Sequence, residues 1–343
     1  MNIRLNILSI FLFPLGLIAQ NGGSHAFSFI NIEVSPISQA IGGNSIAIYD
    51  NHILASQSSP SLLNSSMHNE ISFGFVDYLS DINLLSFAYA RDVRGFGVIS
   101  FGIKSINYGF FDLTDEFGNI NGSFSAHDQV LSLSFAKKLD KLFSLGGNIN
   151  LLNSNYSNYS ASAVFSNISI TYYNSNNRFA STLLLKNLGR QLSSYTDEKE
   201  TIPFEIQFAL SKKLKYLPFR YHICYTHLEH FNISSPYKLN VLTNTQTGEL
   251  EIQQETFAKT FLRHIIIGGE LNPFNKSLFL RGGFNFQRRF DMSLATRPAM
   301  VGFSFGVGFN VHDFSFNYSR SIYHLSGILN NFSIGININK FTS

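Results

Sequence analysis

Residues 302–306 have the spacing of a serine nucleophile, because GFSFG matches the pattern Gly-x-Ser-x-Gly. In enzymes with this pattern, the serine lies on a sharp turn between a strand and a helix. Ser304 instead lies within a run in which large apolar residues alternate with small ones, and the alternation continues on both sides. This pattern predicts a continuous strand with Ser304 on its polar face. We therefore expect no catalytic role for Ser304 and no enzyme activity.

A second group could bind a metal and consists of His222, Cys224, His227 and His230. His222 and Cys224 are two residues apart, so they share one face of a predicted strand, and both side-chain types bind zinc. The alternation places both on the polar face, where uncharged polar residues are expected without any metal. Cys224 is the only cysteine, which excludes a multi-cysteine site and an internal disulfide. We expect neither a metal nor a cofactor.

Three acidic residues, Asp112, Asp115 and Glu116, lie close to Asn119 in a segment without clear alternation. Calcium-binding loops place ligands at positions 1, 3 and 5, and this spacing is absent here. The Phe-Gly-Asn sequence that follows is typical of a turn. We interpret Ser105–Asp128 as a long solvated loop.

The clearest element among these segments is the stretch Val301–Ser321. Apolar residues occupy every second position up to Val311, and glycine, serine and asparagine lie between them. His312 and Asp313 interrupt the pattern, which then resumes in the other parity. This predicts a hairpin of two strands joined by a very tight turn. Large apolar residues on one face and small uncharged ones on the other are typical of a strand between lipid and a lumen.

The composition favours a membrane protein built from strands. Charged residues make up 14% of the 343 residues, well below the roughly 25% of soluble domains. Aromatic residues make up 15%, and asparagine and serine supply much of the polarity. The formal net charge is only +3, and the chain has no Lys/Arg cluster of the kind that binds nucleic acid. We therefore exclude nucleic acid as a partner.

The N-terminus has the features of a secretory signal peptide. Arg4 precedes an apolar run from Leu5 to Ile18, and Ala19 is a small residue at the expected cleavage site. We predict a signal peptide over residues 1–19; the alternative, a transmembrane anchor, needs a run of ~20 apolar residues. No later segment has 18 consecutive apolar residues. An exported chain of this kind crosses a membrane as a closed barrel, in which every backbone polar group is paired.

The alternating segments predict the fold class. About fourteen of them follow Ile71, an even number as in bacterial barrels, and short links alternate with longer ones. We predict an all-β protein, a transmembrane antiparallel β-barrel of the bacterial outer membrane over residues 70–343. A partly helical plug or lead-in segment over residues 20–69 precedes it, and the alternative is an exported soluble β protein. The longer predicted loops are Ser105–Asp128, Asn153–Ser160, Asn187–Thr201, Glu229–Phe257, Gln287–Pro298 and Ser321–Asn330.

Several short strings resemble one protein family. In their order along the chain they are similar to the PorQ-like barrels of the type IX secretion system of Bacteroidota. An earlier part resembles the N-terminal segment of the wider group of PorV-like and fatty-acid-transporter-like barrels, although Asn-Pro-Ala is commoner there than Ser59-Pro60-Ser61. The strings lie at residues 107–112 (NYGFFD), 115–119 (DEFGN), 122–128 (GSFSAHD), 186–192 (KNLGRQL) and 202–204 (IPF), and the earlier part contains Gly42-Gly43 and Ser59-Pro60-Ser61-Leu62-Leu63.

The resemblance implies a fourteen-stranded barrel in the outer membrane that acts as a scaffold. It implies that the barrel holds a PorZ-like surface protein in an attachment complex with PorU and PorV during protein secretion and surface attachment. The partners would be outer-membrane lipids, the PorZ-like protein and, indirectly, PorU and PorV. The outer loops would carry the contacts, first of all Ser105–Asp128. The residues expected to bind the partner are Asn107, Tyr108, Asp115, Glu116, Gly118, Asn119 and Asp128.

A second function is open to the same fold, passive transport of small hydrophobic molecules, as in fatty-acid-transporter-like barrels. A transporter predicts an apolar pocket inside the barrel and a lateral gap in its wall. An anchor predicts a closed wall and ordered outer loops. Alternation assigns the two faces of each strand and carries no information about openings, so the sequence leaves both functions open.

Overall fold

Fourteen antiparallel strands form a closed barrel in the computed structural model of the protein. It describes residues 27–80, 82–196, 198–234, 241–243, 250–252, 255–274, 277–293, 299–324 and 327–338. The predicted signal peptide over residues 1–19 lies outside the described residues. The barrel strands are β1 (Glu70–Asp77), β2 (Asn83–Val93), β3 (Gly97–Thr114), β4 (Ile120–Lys138), β5 (Phe143–Tyr156), β6 (Tyr159–Asn174), β7 (Phe179–Ser193), β8 (Glu205–Lys213), β9 (Phe219–Tyr225), β12 (Ile265–Leu271), β13 (Leu278–Asn285), β14 (Phe303–Val311), β15 (Phe314–His324) and β16 (Gly327–Asn337).

Closure of the barrel follows from the first and last strands, because β1 pairs with both β2 and β16. Each other barrel strand pairs with its neighbours in chain order, except that β9 pairs directly with β12. The predicted number of strands and their antiparallel order are therefore confirmed.

Several smaller elements are not part of the barrel wall. None of the helices in the described part of the chain could cross a membrane. Before β1 the chain also contains 3-10 turns at Ser28–Asn31, Pro60–Leu62 and Ser65–Met67. The smaller strands and helices are β10 (Val241–Thr243), β11 (Leu250–Ile252), α1 (Pro36–Ala40), α2 (Ile53–Ser56), α3 (Phe257–Arg263) and α4 (Phe286–Met292).

The hairpin predicted from the alternation is confirmed. β14 and β15 are joined by His312 and Asp313 alone. His312 has φ 53°, a left-handed conformation that suits a two-residue turn between twisted strands. On β14 the Phe305 ring is 45% exposed on the outside, whereas the adjacent Ser304 is fully buried on the inside.

The same alternation produces an apolar belt around the outside of the barrel. On β5, for example, Leu145, Ile149 and Leu151 are exposed, while Asn148 and Asn150 are buried on the lumen side. A continuous ring of exposed Phe, Leu and Ile is unfavourable in water and favourable in lipid. The molecule therefore has the architecture of a barrel in the outer membrane.

The predicted loop Ser105–Asp128 is wrong, because β3 and β4 extend through it and leave only the turn 115–119. The predicted loops Asn153–Ser160 and Asn187–Thr201 are likewise shortened by β5, β6 and β7. Beyond the lipid belt, both faces of a hairpin meet water, so the apolar alternation stops. Backbone pairing between the two strands continues, because it does not depend on which side chains the strands carry.

The two ends of the barrel differ. At the end where β1 begins, here called the inner end, the links have between two (His312–Asp313) and six (272–277) residues. The opposite, outer end carries the long links 226–264 and 286–302. It also carries the projecting part of β3–β7, which have 14 to 19 residues, compared with 7 to 9 in β8, β9 and β12–β14. By the rule for bacterial barrels, the inner end faces the periplasm.

The residues Phe27–Asn69, here called the inner segment, lie within the barrel. The hydroxyl groups of Ser61 and Thr171 on β6 are 2.7 Å apart, and Ser211 on β8 donates to the carbonyl oxygen of Ala47 at 2.7 Å. On the opposite side α1 packs against β13, β14, β15 and β16. The inner segment therefore touches the wall around most of its circumference.

Two wall glycines permit this close packing. A Cβ atom on Gly283 would lie 2.0 Å from the carbonyl carbon of Ile41, and one on Gly146 would lie 2.3 Å from the backbone nitrogen of Ser61. Backbone atoms of the inner segment thus occupy the space of wall side chains. The plug or lead-in segment predicted over residues 20–69 stays a prediction; residues 20–26 lie outside the described residues, and α1 and α2 lie in the remainder.

Candidate functional site in the barrel lumen

The outer half of the lumen is filled by apolar side chains, here called the apolar cluster. Wall residues from β1 to β6 and β16 meet residues of the inner segment there. A lumen that conducts water-soluble molecules is polar, so this lining suits apolar contents. The apolar cluster consists of Phe27, Phe29, Val34, Val76, Leu84, Ile106, Val130, Leu152, Ala161, Ala163, Phe165, Ile202 and Leu329.

One carboxylate, that of Asp128 on β4, is fully buried beside the apolar cluster. Tyr108 and Tyr156 donate hydrogen bonds to its Oδ2 atom at 2.6 and 3.0 Å. Ser154 donates to Oδ1 and also hydrogen bonds to the Tyr195 hydroxyl. A buried charge is costly without partners, and here hydroxyl groups surround it. Asp128 therefore acts as a polar link between β3, β4, β5 and the residues that follow β7.

One lysine of the wall binds the first residues of the inner segment. The Nζ atom of Lys104 on β3 donates to the carbonyl oxygens of Phe29, Ile30 and Ile32 at 3.0, 3.2 and 2.6 Å. Glu33 follows directly in the chain, and burial raises the pKa of its carboxyl group. Lys104 thus binds three carbonyl groups at the end of the 3-10 turn, and it fixes this part of the chain against β3.

A cavity of about 70 Å³ lies between the inner segment and the wall. Ile32, Val34 and Phe165 form part of its apolar lining, and the side chains of Lys104 and Lys186 supply positive charge. Ligand pockets for small organic molecules have volumes of ~300–1,000 Å³. This cavity is too small to be such a pocket, so a small organic molecule enters it only if the inner segment moves.

The wall beside this cavity contains a β-bulge. Between the pairs Ser166–Leu188 and Ile168–Leu185, two residues of β7 oppose one residue of β6. The extra residue, Asn187, has φ 59° and is buried, and its Nδ2 atom donates to the carbonyl oxygen of Pro203 at 2.8 Å. Bulges re-aim side chains, and this one turns Asn187 inward next to Lys186. Pairing resumes on both sides of the bulge, so the wall is closed here.

A chain of ion pairs lies along the wall in the inner half of the lumen and reaches the inner segment at Asp50. Arg220 on β9 lies 3.0 Å from Oδ1 of Asp50 and 3.4 Å from Oε1 of Glu270 on β12. Arg281 on β13 lies 2.8 Å from Oε2 of the same Glu270. Two cations and two anions are thus paired in alternation, which offsets the cost of their burial.

The residues predicted to bind a partner do not form one site. Tyr108 and Asp128 point into the lumen and hydrogen bond to each other. In the turn 115–119, Glu116, Gly118 and Asn119 are exposed and Asp115 is half-buried. Asp115 accepts hydrogen bonds there from the backbone nitrogen atoms of Phe117 and Asn119. The hydrogen bond from the side chain of Asn119 lowers the pKa of Asp115 most, and the two backbone hydrogen bonds lower it further. At ~3.3 Å per residue, the turn lies roughly 20 Å beyond Tyr108 along β3.

The remaining members of the predicted site follow the same division. Asn107 lies on β3, where its Oδ1 atom accepts from the backbone nitrogen of Gly109 at 2.9 Å. Glu116 and Gly118 lie at the exposed tip of the hairpin with Asn119. The acidic residue considered as a calcium ligand, Asp112, is exposed on β3. The predicted loop site is therefore a tall hairpin with a lumen-facing base and a solvent-exposed tip.

The other two candidate groups lie within strands. Ser304 is the second residue of β14 and is followed by the rest of that strand, whereas a nucleophilic serine needs a turn from a strand into a helix. His222 and Cys224 both point inward on β9 and are buried, as the alternation predicts. Among the described residues, no group of three or more His, Cys, Asp or Glu side chains is arranged to hold a metal ion.

Sequence reasoning missed Lys104, Lys186 and Glu33. Lys104 interrupts an apolar run on β3, and a lone lysine between Ile103 and Ser105 is an available signal for an inward-facing charge. Its partners are backbone carbonyl groups about seventy residues earlier in the chain, and no spacing rule identifies such partners.

Comparisons with known proteins identify the fold. A comparison with models of protein families gave no match, and neither did one with curated protein sequences. Among solved structures, the chain is similar to the Pseudomonas putida toluene transporter TodX, with a TM-score of 0.52 and 12% identity over 88% of this chain and 96% of that chain. A TodX mutant, described as a monoaromatic hydrocarbon channel, gives a TM-score of 0.51 and 12% identity over 88% of this chain and 98% of that chain.

A FadL homologue from Pseudomonas aeruginosa is also similar, with a TM-score of 0.47 and 9% identity over 89% of this chain and 98% of that chain. None of these proteins is described as a PorQ-like barrel or as part of type IX secretion, so that resemblance stays a prediction. The chain therefore shares the fold of these outer-membrane β-barrels.

Proposed function

We propose that the protein is a passive transporter of small hydrophobic molecules across the outer membrane. The observation that carries this proposal is the apolar cluster, which lines the outer half of the lumen with Phe, Leu, Ile and Val. Apolar molecules leave water for such a lining, because burial of apolar surface is favourable by about 25 cal/mol per Å². The shared fold with a toluene transporter supports the same function and makes toluene the first compound to test.

Passage requires a rearrangement of the inner segment. The cavity beside it holds about 70 Å³, and strand pairing continues around the wall. The inner segment meets the wall through separate hydrogen bonds and close packing, and it has no strand pairing to the barrel. It is therefore the part that can shift without breaking the barrel, and we assign it the role of a plug.

Toluene also crosses a bare lipid bilayer, so the test measures how much faster toluene enters lipid vesicles that contain the purified protein than vesicles without it. In the variant Leu152→Asn, an amide replaces an apolar side chain of the apolar cluster, and we expect toluene entry to fall by about fivefold because the amide favours water. Ser144→Ala on the same strand is the matched control, since Ser144 is buried near the inner end and its hydroxyl has no partner among the described residues. Equal entry through both variants and the original protein would contradict the proposal. Heat-dependent gel mobility shows whether each variant folds.

The β3–β4 hairpin favours a second candidate function, the anchoring of a surface protein. Beyond the apolar belt it carries Phe110, Phe117 and Ile120, which are 82%, 89% and 65% exposed. Large apolar side chains at an exposed tip suit a protein partner. A closed wall also agrees with an anchor. The partner would be a PorZ-like protein, with PorU and PorV reached through it, as the resemblance to PorQ-like barrels implies.

The anchor hypothesis is tested by co-purification. We expect Phe110→Ser combined with Phe117→Ser to release the PorZ-like protein from the barrel, while toluene entry stays unchanged. Leu139→Ser is the control, because Leu139 is an exposed apolar residue in a turn at the inner end. Retention of the partner by the double variant, or loss of the partner from the control as well, would exclude the hairpin as the docking site.

A further inference from the structure

The inner end of the barrel contains a second pocket, separate from the apolar cluster. It has a volume of about 700 Å³ and lies beside the links that join β6 to β7, β8 to β9 and β12 to β13. Tyr49 and Asp50 of the inner segment line it from the lumen side. Its volume is within the range of ~300–1,000 Å³ that holds small organic ligands.

The pocket has an excess of positive charge. Arg178, Lys213 and Lys215 line it, and none of them forms an ion pair with another described residue. The acidic lining residue, Asp50, is already paired with Arg220. Burial alone would raise the pKa of Asp50, but the neighbouring guanidinium lowers it below its usual value. Asp50 and Arg220 therefore neutralise each other, and the other three cations have no ion-pair partner in the part of the chain that the structure describes.

Aromatic rings and one hydroxyl group complete the lining. The rings of Tyr49 and Tyr173 are stacked with their centroids 4.5 Å apart. Tyr216 is 87% exposed, and Nζ of Lys215 lies 5.2 Å from the centre of its ring. The hydroxyl group of Tyr49 is buried and has no hydrogen-bond partner among the described residues. The pocket therefore offers ring faces, cations and a hydrogen-bonding group to one ligand.

The charge of the inner end as a whole also favours a negatively charged ligand. Positive charge predominates among the solvent-accessible residues of the described inner end, so anions are attracted to it from the periplasm. The basic residues there are Arg91, Arg94, Lys137, Lys138, Lys141, Arg178, Lys212, Lys213 and Lys215, and the acidic residues are Asp92, Asp140 and Asp313.

We propose that this pocket binds an organic anion with a flat apolar body, of the class of the aromatic carboxylates. The carboxylate lies between Arg178 and Lys213, where charge-assisted hydrogen bonds are strongest. The ring of the ligand contacts the exposed ring of Tyr216, and the hydroxyl group of Tyr49 is free to donate to the ligand. The proposal goes beyond transport, because it needs neither the apolar cluster nor movement of the inner segment.

The test uses the purified full chain in an uncharged detergent, with 2-naphthoate as the probe and 2-naphthamide as its neutral counterpart. The chain has no tryptophan, so the fluorescence of the probe is measured without interference from indole. We expect saturable binding of 2-naphthoate and at least ~10-fold weaker binding of 2-naphthamide. In the double variant Arg178→Gln and Lys213→Gln, we expect binding of 2-naphthoate to weaken by ~10-fold or more.

Lys141→Gln is the matched control, because Lys141 is an exposed cation at the inner end that does not line the pocket. Its affinity for 2-naphthoate should equal that of the original protein. Equal binding of the charged and neutral probes, or an equal loss in the double variant and the control, would overturn the proposal. A last measurement adds inorganic phosphate as a competitor of 2-naphthoate. If phosphate binds as tightly as 2-naphthoate, the pocket recognises charge alone and the aromatic part of the proposal is wrong.

Discussion

At the scale of single residues, polar side chains inside the lumen hold the inner segment and the wall in place. Lys104 and Asp128 are the clearest cases. Lys104 donates hydrogen bonds to three carbonyl groups, and Asp128 accepts hydrogen bonds from three hydroxyl groups. A buried polar group that loses its partner costs about 1–3 kcal/mol, and more if it is charged. Substitutions at these two positions should therefore affect the inner segment and the wall separately.

Lys104→Met removes the donor for three carbonyl groups of the inner segment but keeps a long apolar stem. We expect local opening of residues 29–32 to become easier by about 2 kcal/mol, since hydrogen bonds to charged groups contribute about 1.5–3 kcal/mol. Amide hydrogen exchange of this part in detergent measures the change. Lys137→Met, an exposed substitution on β4, should leave the exchange unaltered. Unaltered exchange in Lys104→Met would show that packing alone holds the inner segment.

Asp128→Asn replaces the carboxylate that accepts from Tyr108, Tyr156 and Ser154. The amide group presents a donor where hydroxyl groups now donate, so at least one of these hydrogen bonds is lost. We expect the barrel to be destabilised by about 1–3 kcal/mol. The midpoint of heat-dependent gel mobility measures the loss, and the exposed Asp112→Asn on β3 serves as the control. Equal midpoints for the two variants would contradict the buried network.

At the scale of elements, the β6–β7 bulge shows how a local irregularity is built into a regular wall. Gly189 follows the bulge, and a Cβ atom there would lie 2.2 Å from the carbonyl oxygen of Val164 and 2.5 Å from Cα of Phe165. The two strands thus approach each other more closely than any side chain allows. This explains why a glycine occupies the position.

Gly189→Ala should force β6 and β7 apart and destabilise the barrel by more than about 1 kcal/mol, as overpacking does elsewhere. Gly147→Ala is the control, because its new Cβ atom would have its nearest neighbour, the carbonyl oxygen of Asn167, at 3.7 Å. Denaturant-dependent folding into lipid vesicles compares the two variants. A control variant as unstable as Gly189→Ala would indicate a general cost of alanine in these strands.

The helices α3 and α4 at the outer end are joined through one arginine. Arg263 is 1% exposed; its Nε atom donates to Glu255 at 2.7 Å, and its Nη1 atom pairs with Asp291 on α4. The hydrogen bond from Arg263 lowers the pKa of Glu255 to about 2. A carboxyl group with a lowered pKa stabilises the folded state above its unfolded pKa of ~4.3, and this contribution is lost as the pH falls through the folded value.

We therefore expect the tie between Glu255 and Arg263, which holds the start of α3 to its end, to weaken between pH ~4.3 and about 2, with full strength above this range. Limited proteolysis with an acid protease at pH 4.5 and at pH 2.5 follows the accessibility of α3. Glu255→Gln should show a smaller difference in cleavage between the two values, because of the two carboxylates on Arg263 just that of Asp291 can still titrate. Greater protection at the lower pH in the original protein would contradict this account.

At the scale of the whole molecule, the barrel depends on its apolar belt. Ile149 on β5 is 60% exposed and lies about half-way up the belt. An arginine at the midplane of a bilayer costs about 2–4 kcal/mol, and the cost falls to about 0–1 kcal/mol near the interface. Ile149→Arg should therefore lower the stability of the barrel in lipid much more than Leu139→Arg in an inner turn. Reversible folding into lipid vesicles measures the free energy of unfolding of the two variants. If the two variants lose similar stability, Ile149 does not lie in the apolar belt.

The sequence alone determined the fold class of this protein, because a strand between lipid and a lumen must alternate residue by residue. The number of strands, the very tight turn at His312–Asp313 and the inward positions of Ser304 and Cys224 all follow from that rule. Lipid imposes the pattern locally, so it can be read from short windows of sequence.

Only the tertiary structure decided what fills the lumen and how far the strands extend. The contacts of Lys104 with residues 29–32, and of Arg220 with Asp50, join parts of the chain far apart in sequence. Such contacts depend on how the inner segment folds inside the closed wall, and no periodicity encodes them. The β3–β4 hairpin was mistaken for a loop for a related reason: outside the membrane, backbone hydrogen bonds maintain strands whose side chains face water on both sides.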